Sequence, residues 1–479
     1  MKLSQLMRGV KAAINDGDIE VAGITCDSRR VAAGWVFVCI EGVAADGHSF
    51  AAAAAENGAA VVLAQRDVGV GMQILTECTR KAWAIMSANW FGNPAEKLKL
   101  IGVTGTNGKT SVTYMLKAIM EACGHKTGLI GTNQNLIGDR ALPAGHTTPD
   151  PYDLQSLFAL MHAEGCDTAI MEVSSHALDQ HRVEGCLFEA GVFTNLTQDH
   201  LDYHGTMENY MKAKRRLFSQ SKIAVINADD EWAQPITEGI TCPVVTYAVK
   251  RNEADYVAKN VRPRPAGMDF ELVGTGEIAR VRLAMPGMFS VYNAMATAAC
   301  ALALGVSFEQ TIEALKSVDG VKGRAEVVPT GRDFTVIIDY AHTPDALEKI
   351  CKTIKTGCGG RLITLFGCGG ERDIGKRPIM GEIASRLSDF VIVTSDNPRS
   401  EEASAIISDI LKGIPERKTP YTVIENREEA IRWGIANAKA GDTLLLAGKG
   451  HETYQVLNSG RIHLDEREIV AEALKELPN

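Results

Sequence analysis

Long apolar runs are missing from this chain of 479 residues. The most apolar stretch, 294–306, falls well short of the ~20 residues that a membrane-spanning helix needs. The N-terminus carries Lys2, Arg8, Lys11, Asp16 and Asp18 with no unbroken apolar stretch among them. Neither membrane insertion nor a secretory signal is therefore expected. An excess of positive charge is missing too. Lys and Arg number 50 against 59 Asp and Glu, a formal net charge of −9. That argues against a general nucleic-acid binder, which needs a basic surface to neutralise phosphates. A local basic pocket for an anionic substrate remains compatible with it. The 11 cysteines are scattered, odd in number and never spaced C-x-x-C, which disfavours a zinc ribbon or a thioredoxin-like site. Scattered single cysteines suit a reducing, cytoplasmic setting. No short repeat and no low-complexity tract interrupts the chain.

What is present is ordinary for a globular protein: 45% hydrophobic and 23% charged residues. The length suits about three domains at roughly 150 residues each. Three segments can be drawn, 1–96, 97–326 and 327–479. In the first, 35–40 and 60–64 are short apolar runs, and the alanine-rich 51–55 reads as helix. Asn93-Pro94, followed by a charged stretch, marks the first boundary.

The second segment opens with a strand at 100–103 and a glycine-rich turn. In the helix after it, Val112, Leu116, Ile119 and Cys123 recur at helical spacing and Gly124 ends the element. Further strands are predicted at 169–173, 191–193 and 223–226, and the proline-rich 261–265 reads as a loop or edge feature. In the third segment strands are predicted at 334–338, 361–366, 390–394, 421–424 and 443–447, with helices at 344–355, 401–411 and 427–438. Alternating strand and helix predicts an α/β fold with mostly parallel sheets, the last segment Rossmann-like.

The turn Gly105-Thr106-Asn107-Gly108-Lys109-Thr110 lies between a predicted strand and a predicted helix. Glycines let backbone N–H groups face phosphate oxygens, and the helix N-terminus adds positive potential. Lys109 can reach β and γ phosphates, and the Thr110 hydroxyl can ligate Mg2+. Val103 stands where the strict G-x-x-x-x-G-K-[ST] pattern has its first glycine. The alternative use of such a turn is to cap a helix, but strand, Gly-Lys-Thr and helix together favour a nucleotide.

The G-T-N-G-K-T form resembles the loop of the Mur ligase family, and further matches follow in order. They are Asp27-Ser28-Arg29, Thr147-Thr148-Pro149, Glu172-Val173-Ser174-Ser175-His176 and Gln180-His181-Arg182. Next come Asn195 through Asp202, then Tyr210 through Lys214, and Asp339-Tyr340-Ala341-His342-Thr343-Pro344. Asp396-Asn397-Pro398-Arg399 and Gly448-Lys449-Gly450-His451-Glu452 complete the set. The resemblance spans essentially the whole chain. It implies the three-domain Mur ligase architecture: an N-terminal UDP-substrate domain, a central phosphate-loop ATPase domain and a C-terminal Rossmann-like domain for the amino acid.

The resemblance also implies an activity and a division of labour. The branch it points to adds the third amino acid of the peptidoglycan stem to UDP-N-acetylmuramoyl-L-Ala-D-Glu, with ATP activating a carboxylate as an acyl phosphate. Gly105, Thr106, Asn107, Gly108, Lys109 and Thr110 would hold ATP, with Asn293, Arg324, Asp339 and His342 closing over the nucleotide. Thr110, Glu172, His200 and Lys214 would serve Mg2+, with Lys214 carrying a CO2-derived carbamate. Ser28, Thr147, Thr148, Ser174, Gln180 and Arg182 would hold the UDP-peptide. Arg372, Asp396, Asn397, Pro398, Arg399, Gly448 and Glu452 would read the incoming amino acid. The Asp-Asn-Pro-Arg form implies meso-diaminopimelate, whose far carboxylate suits a bidentate guanidinium, rather than L-lysine. A monomer is expected.

Each side chain also has a plainer use. Glu172 could be a surface carboxylate and His200 a turn histidine. Lys214, among Lys212, Arg215 and Arg216, could belong to a solvated basic face. Thr147, Thr148 and Ser174 could be turn and cap residues. Asn397-Pro398 could simply turn the chain after a strand. Rival activities are the same ligation with L-lysine, a folylpolyglutamate synthetase-like ligase, and a phosphate-loop switch or transport ATPase. The last two lack their N-K-x-D and L-S-G-G-Q signatures here.

Overall fold

The computed structural model describes every residue except 13–17, 43–44, 265–266, 319, 416–418 and 478–479. The chain divides into two compact units, Met1–Asp255 with Ala296–Gln310, and Tyr256–Met295 with Thr311–Asn479.

The first unit holds two sheets. Strands β1 (Gly23–Thr25), β2 (Trp35–Val38), β3 (Ala59–Ala64) and β4 (Gln73–Leu75) form a parallel sheet in that order. Val36, Val38, Val61 and Leu63 bury one face against Leu3, Leu6 and Trp83, while Phe37, Val62 and Ala64 bury the other against the helix Ala51–Glu56. Such two-sided burial is why these strands read as unbroken apolar runs.

The second sheet of this unit is built from β5 (Lys99–Thr104), β6 (Thr127–Ile130), β7 (Asn135–Ile137), β8 (Arg140–Leu142), β9 (Thr168–Glu172), β10 (Phe188–Phe193), β11 (Ala224–Asn227) and β12 (Val244–Ala248). Their spatial order is β12-β11-β10-β5-β9-β6-β7-β8. From β12 to β6 the strands are parallel, and β7 and β8 add an antiparallel edge. The carboxyl ends of β5, β6, β9 and β10 therefore open on one edge, which is where parallel sheets place ligands. The helix Lys109–Ala122 follows β5 directly; Val112, Leu116 and Ile119 are buried, and Gly124 takes φ +86° past its end. Asn93 adopts a left-handed φ of 53° before Pro94, so the chain turns there as expected.

In the second unit β13 (Tyr256–Arg264), β14 (Gly267–Gly274) and β15 (Glu277–Leu283) form an antiparallel meander. The loop expected at 261–265 is thus strand through Arg264, and Pro265 lies outside the described residues. Pro263 fits because the register slips between Lys259 and Arg262, and a bulge tolerates a missing N–H. The rest is a doubly wound sheet, with β16 (Glu326–Val328), β17 (Thr335–Asp339), β18 (Leu362–Phe366), β19 (Phe390–Val393), β20 (Tyr421–Val423) and β21 (Thr443–Ala447) in the order β16-β17-β21-β18-β19-β20. All but β16 run parallel.

Alternate residues of this sheet feed two cores. Ile337, Phe366, Val391, Val393 and Leu445 meet Leu347, Ile350, Met380 and Ile407, on the helices Pro344–Gly357, Lys376–Leu387 and Ala403–Leu411. Val336, Ile338, Ile363, Leu365, Ile392, Leu444 and Leu446 meet Ala430, Ile431, Ile469 and Val470 on the helices Arg427–Asn437 and Glu466–Glu476. The hairpin β22 (Tyr454–Leu457) and β23 (Gly460–His463) completes the unit.

Candidate active site

In the first unit the chain leaves β5 into the 105–108 turn, with Gly105 at φ +148° and Gly108 at φ +89°. A Cβ on Gly105 would collide with Thr194 Oγ1 and crowd the Asn195 backbone, so the turn needs glycine there. Asn195 and Thr194, at the end of β10, clamp the turn. Thr106 N donates to Asn195 O at 2.8 Å, Asn107 N to Asn195 Oδ1 at 3.0 Å, and Thr194 Oγ1 to Asn107 O at 2.6 Å. Lys109 folds back over the turn, its Nζ donating to Gly105 O at 2.9 Å and Thr106 O at 3.0 Å.

Lys214 reaches the same carbonyl. Its Nζ donates to Gly105 O at 2.8 Å and lies 4.5 Å from the centre of the Tyr210 ring. The side chain is buried, 1% exposed, whereas Lys212 two residues earlier is exposed. Helical geometry separates positions i and i+2 by about 200°, so one lysine faces water and the other the turn. Burial, aided by the nearby Lys109 cation, pushes the Lys214 amine far below its ordinary value. The solvated basic face does not apply to it.

Glu172, at the end of β9 and 1% exposed, is the hub of the adjoining cluster. Its Oε1 accepts from Thr110 Oγ1 at 3.0 Å and from Thr132 N at 2.9 Å, and its Oε2 from Thr132 Oγ1 at 3.0 Å. Thr132 Oγ1 lies 3.0 Å from Thr147 Oγ1. Thr148 Oγ1 donates to Glu172 O at 2.9 Å and accepts from Ser174 N at 3.0 Å. Arg182 Nη1 donates to Thr148 O at 2.8 Å and Nη2 to Gln180 Oε1 at 2.9 Å. The structure thus joins the phosphate turn, Glu172, Thr147, Thr148, Ser174, Gln180 and Arg182 into one run of contacts. Ser174 also keeps its plainer role, capping the helix Ser175–Asp179.

His200 sits at a left-handed φ of 52°, half exposed, its ring edge-on to His176 at 4.8 Å between centroids. Burial and the neighbouring His200 and His204 push His176 down to about 4, so this imidazole is neutral at physiological pH. His200 connects to the turn through Tyr210, whose ring it meets edge-on at 6.2 Å and whose hydroxyl lies 3.2 Å from Thr106 Oγ1. Ser28 stands apart, in the short helix Ser28–Arg30 capped by Asp27, with no side-chain hydrogen bond to this cluster among the described residues.

Magnesium prefers hard oxygen donors. The Thr110 hydroxyl and the Glu172 carboxylate, within 3.0 Å of each other beside the phosphate turn, fit that preference. Among the described residues no group of three His, Cys, Asp or Glu side chains converges as a ready-made metal cage.

The second unit gathers its residues at the carboxyl ends of β17, β18, β19 and β21. Asp339 Oδ2 accepts from Ala325 N at 2.7 Å and its Oδ1 from Ala341 N at 2.8 Å. Burial raises its carboxyl against the pull of Arg324, whose guanidinium lies 4.8 Å from the centre of the Tyr340 ring. His342 Nδ1 lies 2.8 Å from Tyr340 O, and Lys376 Nζ donates to His342 O at 2.9 Å. Asn293 is buried on the helix Met288–Ala303.

Beyond β19, Asn397 is tied on three sides. Its Nδ2 donates to Glu452 Oε2 at 2.9 Å, and its Oδ1 accepts from Lys449 Nζ at 3.0 Å and Val456 N at 2.9 Å. Lys449 Nζ also donates to Glu452 Oε2 at 2.9 Å. Arg399, at a left-handed φ of 56°, donates from its backbone N to Val456 O at 3.0 Å and from Nη1 to Gly370 O at 2.6 Å. The β22–β23 hairpin therefore holds the 396–399 turn. Gly369 is flanked by Arg399 Nη1 and Arg372 Cγ, and Gly448, at φ +114°, packs against Asp396 Oδ2. That carboxylate oxygen is buried without a hydrogen-bond partner among the described residues.

Some contributors escaped the sequence reading. Lys449, 0% exposed at its side chain, lies inside a quoted motif, yet nothing distinguished it from a surface lysine. Thr132 carries no motif at all. The cluster of His176, His204 and Tyr210 arises from tertiary contact among three helices, Ser175–Asp179, Leu201–His204 and Met207–Arg215.

A parallel sheet with a Gly-Lys-Thr turn at its carboxyl edge and a hydroxyl–carboxylate pair beside it is the core of a phosphate-loop enzyme. Family models extend this. Residues 20–91 match "Mur ligase family, catalytic domain", 103–301 "Mur ligase middle domain", and 323–450 "Mur ligase, glutamate ligase domain". The chain is 48% identical over 482 residues to UDP-N-acetylmuramoyl-L-alanyl-D-glutamate--2,6-diaminopimelate ligase of Caldanaerobacter subterraneus subsp. tengcongensis, covering 99% of each. It is 45% identical to the ligase of that name from Bacillus velezensis, over 100% of this chain and 99% of the relative. A solved structure of a ligase with the same name superposes with a TM-score of 0.74 at 33% identity, over 99% of both chains. The chain belongs to the Mur ligase family.

Proposed function

We propose that this protein is an ATP-dependent amide ligase that joins meso-diaminopimelate to UDP-N-acetylmuramoyl-L-Ala-D-Glu in the cytoplasm, through an acyl phosphate. The observation that carries the specificity is the 396–399 turn: Arg399 is fixed by its backbone and by Nη1, while its Nε and Nη2 make no hydrogen bond among the described residues. A planar fork pairs with the distal carboxylate of diaminopimelate and repels the ammonium of L-lysine.

The chemistry follows from charge. A carboxylate is a poor electrophile, so its oxygen attacks the γ phosphorus and ADP leaves. The amine then attacks the acyl carbon, and the tetrahedral adduct expels phosphate. Both steps gather negative charge, so fixed cations and donors carry most of the rate. Lys109 and the backbone N–H groups of 105–110 hold the phosphates. Thr110 and Glu172, with His200 and Lys214 nearby in sequence motif, would hold Mg2+, which when bound supplies positive charge to phosphate oxygens. The neutral amine required for carbamylation is what burial gives Lys214. Ser28, Thr147, Thr148, Ser174, Gln180 and Arg182 hold the UDP-peptide. Arg324, Asp339, His342 and Asn293 serve the nucleotide. Arg372, Asp396, Asn397, Pro398, Arg399, Gly448 and Glu452 read the amino acid.

We assign segment 1–96 to the UDP substrate, 97–326 to ATP and ligation and 327–479 to the amino acid, with Thr147, Thr148, Ser174, Gln180 and Arg182 of the central segment also serving the UDP-peptide and Asp339 and His342 of the last also serving the nucleotide; the separate family-model matches support this division. One chain carries every group, which supports a monomer. Eleven unpaired cysteines and the absence of a membrane-crossing helix among the described residues support the cytoplasmic assignment. The test is phosphate release with ATP, the UDP-peptide, and either meso-diaminopimelate or L-lysine. Release that needs both acceptor substrates and favours diaminopimelate is expected. Preference for L-lysine overturns the specificity, and release without either overturns the ligase.

A further inference from the structure

The geometry points to Arg427 as a positioning residue that sets the amino-acid subsite from behind, with Glu466 holding it in place. This inference rests on the proposed ligase reading. Arg427 and Glu466 are the first residues of the helices Arg427–Asn437 and Glu466–Glu476, and both side chains are 0% exposed. Arg427 Nε donates to Glu466 Oε1 at 2.8 Å. Its Nη2 donates to Ala447 O at 2.8 Å and its Nη1 to Ser395 O at 3.3 Å.

Those two carbonyls matter by position. Ser395 directly precedes Asp396-Asn397-Pro398-Arg399, and Ala447 directly precedes Gly448-Lys449. Ser395 lies two residues past β19 and Ala447 ends β21, strands that are not neighbours because β18 lies between them. No ladder hydrogen bond can therefore fix one turn against the other. Asn397, Lys449 and Glu452 link the two turns through side chains, and the planar fork of the Arg427 guanidinium ties their backbones from behind, carbonyl to carbonyl.

The pair is also poorly suited to a purely stabilising role. A cation at a helix N-terminus opposes the helix dipole. Glu466 Oε2 is buried without a partner among the described residues. Burying two charges with one oxygen unpaired costs more than an apolar pair of the same volume would. Holding 395–399 against 447–452 to within a fraction of an ångström is a task that an apolar pair cannot perform.

The experiment uses the full-length chain with Arg427→Lys, Arg427→Met and the double change Arg427→Met with Glu466→Leu. The double variant removes both charges at similar volume, so it folds where Arg427→Met alone would strand a buried carboxylate. Steady-state kinetics on the double variant are expected to show the amino-acid KM raised about 10- to 100-fold, the scale of a misplacement of about 1 Å. KM for ATP and for the UDP-peptide should change less than about twofold, and Arg427→Lys should fall between. Amide hydrogen exchange at 395–399 and 447–452 should accelerate in the double variant. A folded double variant with native amino-acid KM and native exchange in these turns overturns the inference. Should the double variant not fold, a native amino-acid KM in Arg427→Lys, whose ammonium cannot span both carbonyls, overturns it equally. If the native protein ligates no amino acid to the UDP-peptide, the functional reading fails instead, and the exchange comparison still decides whether Arg427 orders the turns.

Discussion

Two lysines aim their amines at one backbone oxygen, Gly105 O, from 2.9 Å and 2.8 Å. Burial is the main reason the Lys214 amine is pushed low, and repulsion from the neighbouring Lys109 cation adds to it. Lys109→Ala should leave the protein folded and reduce ligation by at least about 10²–10³, the usual penalty for losing a preorganised charge partner. Near-native turnover at saturating ATP would remove the nucleotide role. Lys214→Ala should be nearly inactive too, but for another reason. If the carbamate is the working form, its task is that of an anion, and millimolar acetate or another short carboxylate should restore part of the rate. The same carboxylate should do nothing for Lys109→Ala, so the pair of rescue titrations separates a lost anion from a lost cation. Lys109 could be read from its glycine-rich setting alone. Lys214 could not, because a run of four basic residues in six looks solvated until the helix is built and one of them is found facing inward.

Elements decide where such side chains end up. Most of the parallel strands were legible because they are short apolar runs bounded by turn residues, and observed limits at β5, β9, β18 and β21 lie within a residue or two of expectation, whereas the parallel β1, β4, β6 and β12 were not read. The meander β13–β15 was not, because one of its faces is wet and Pro263 breaks the local pattern. Nor was the β22–β23 hairpin, whose second strand is exposed throughout. That hairpin proves to be the support of the Asp-Asn-Pro-Arg turn, so the motif was readable while its scaffold was not. Arg399→Ala should test the turn's chemistry. Removing its charge-assisted bonds, worth about 1.5–3 kcal/mol net, predicts a loss of roughly ten- to over a hundredfold in kcat/KM for meso-diaminopimelate. KM for ATP and for the UDP-peptide should hold nearly constant, and L-lysine should gain little, since nothing new accepts its ammonium. Varying each substrate in turn checks this; intact diaminopimelate kinetics would sink the assignment of Arg399.

At the scale of the whole molecule, acid sensitivity should trace in part to a half-buried imidazole of the second unit. His451 packs against the Tyr340 ring at 5.0 Å, and its Nδ1 is buried without a hydrogen-bond partner among the described residues. Burial, reinforced by the cations Arg324, Arg467, Lys322 and Lys449, lowers it from 6.5 to about 4. Between those two values the unfolded chain binds the proton and the folded chain does not. Stability from this group is therefore complete above about pH 6.5, falls as pH is lowered through the window, and is fully lost near pH 4. At about 1.4 kcal/mol per unit, discounted for partial exposure, the loss should be about 1–3 kcal/mol. In a unit of this size that is about 2–4 °C of melting temperature for each kcal/mol. Burial lowers His176, His204 and His342 in the same direction, so the native slope contains all four histidines. His451→Gln keeps a polar side chain of similar size and removes the titration. Calorimetry from pH 4.5 to 7.5 should therefore show a shallower decline of melting temperature on the acid side for the variant, with the difference between the two proteins constant near neutral pH, where native His451 is uncharged in both states, and changing in the variant's favour as pH falls through the window. Parallel curves for the two proteins across that range would show that His451 is charged, or solvated, in the folded state.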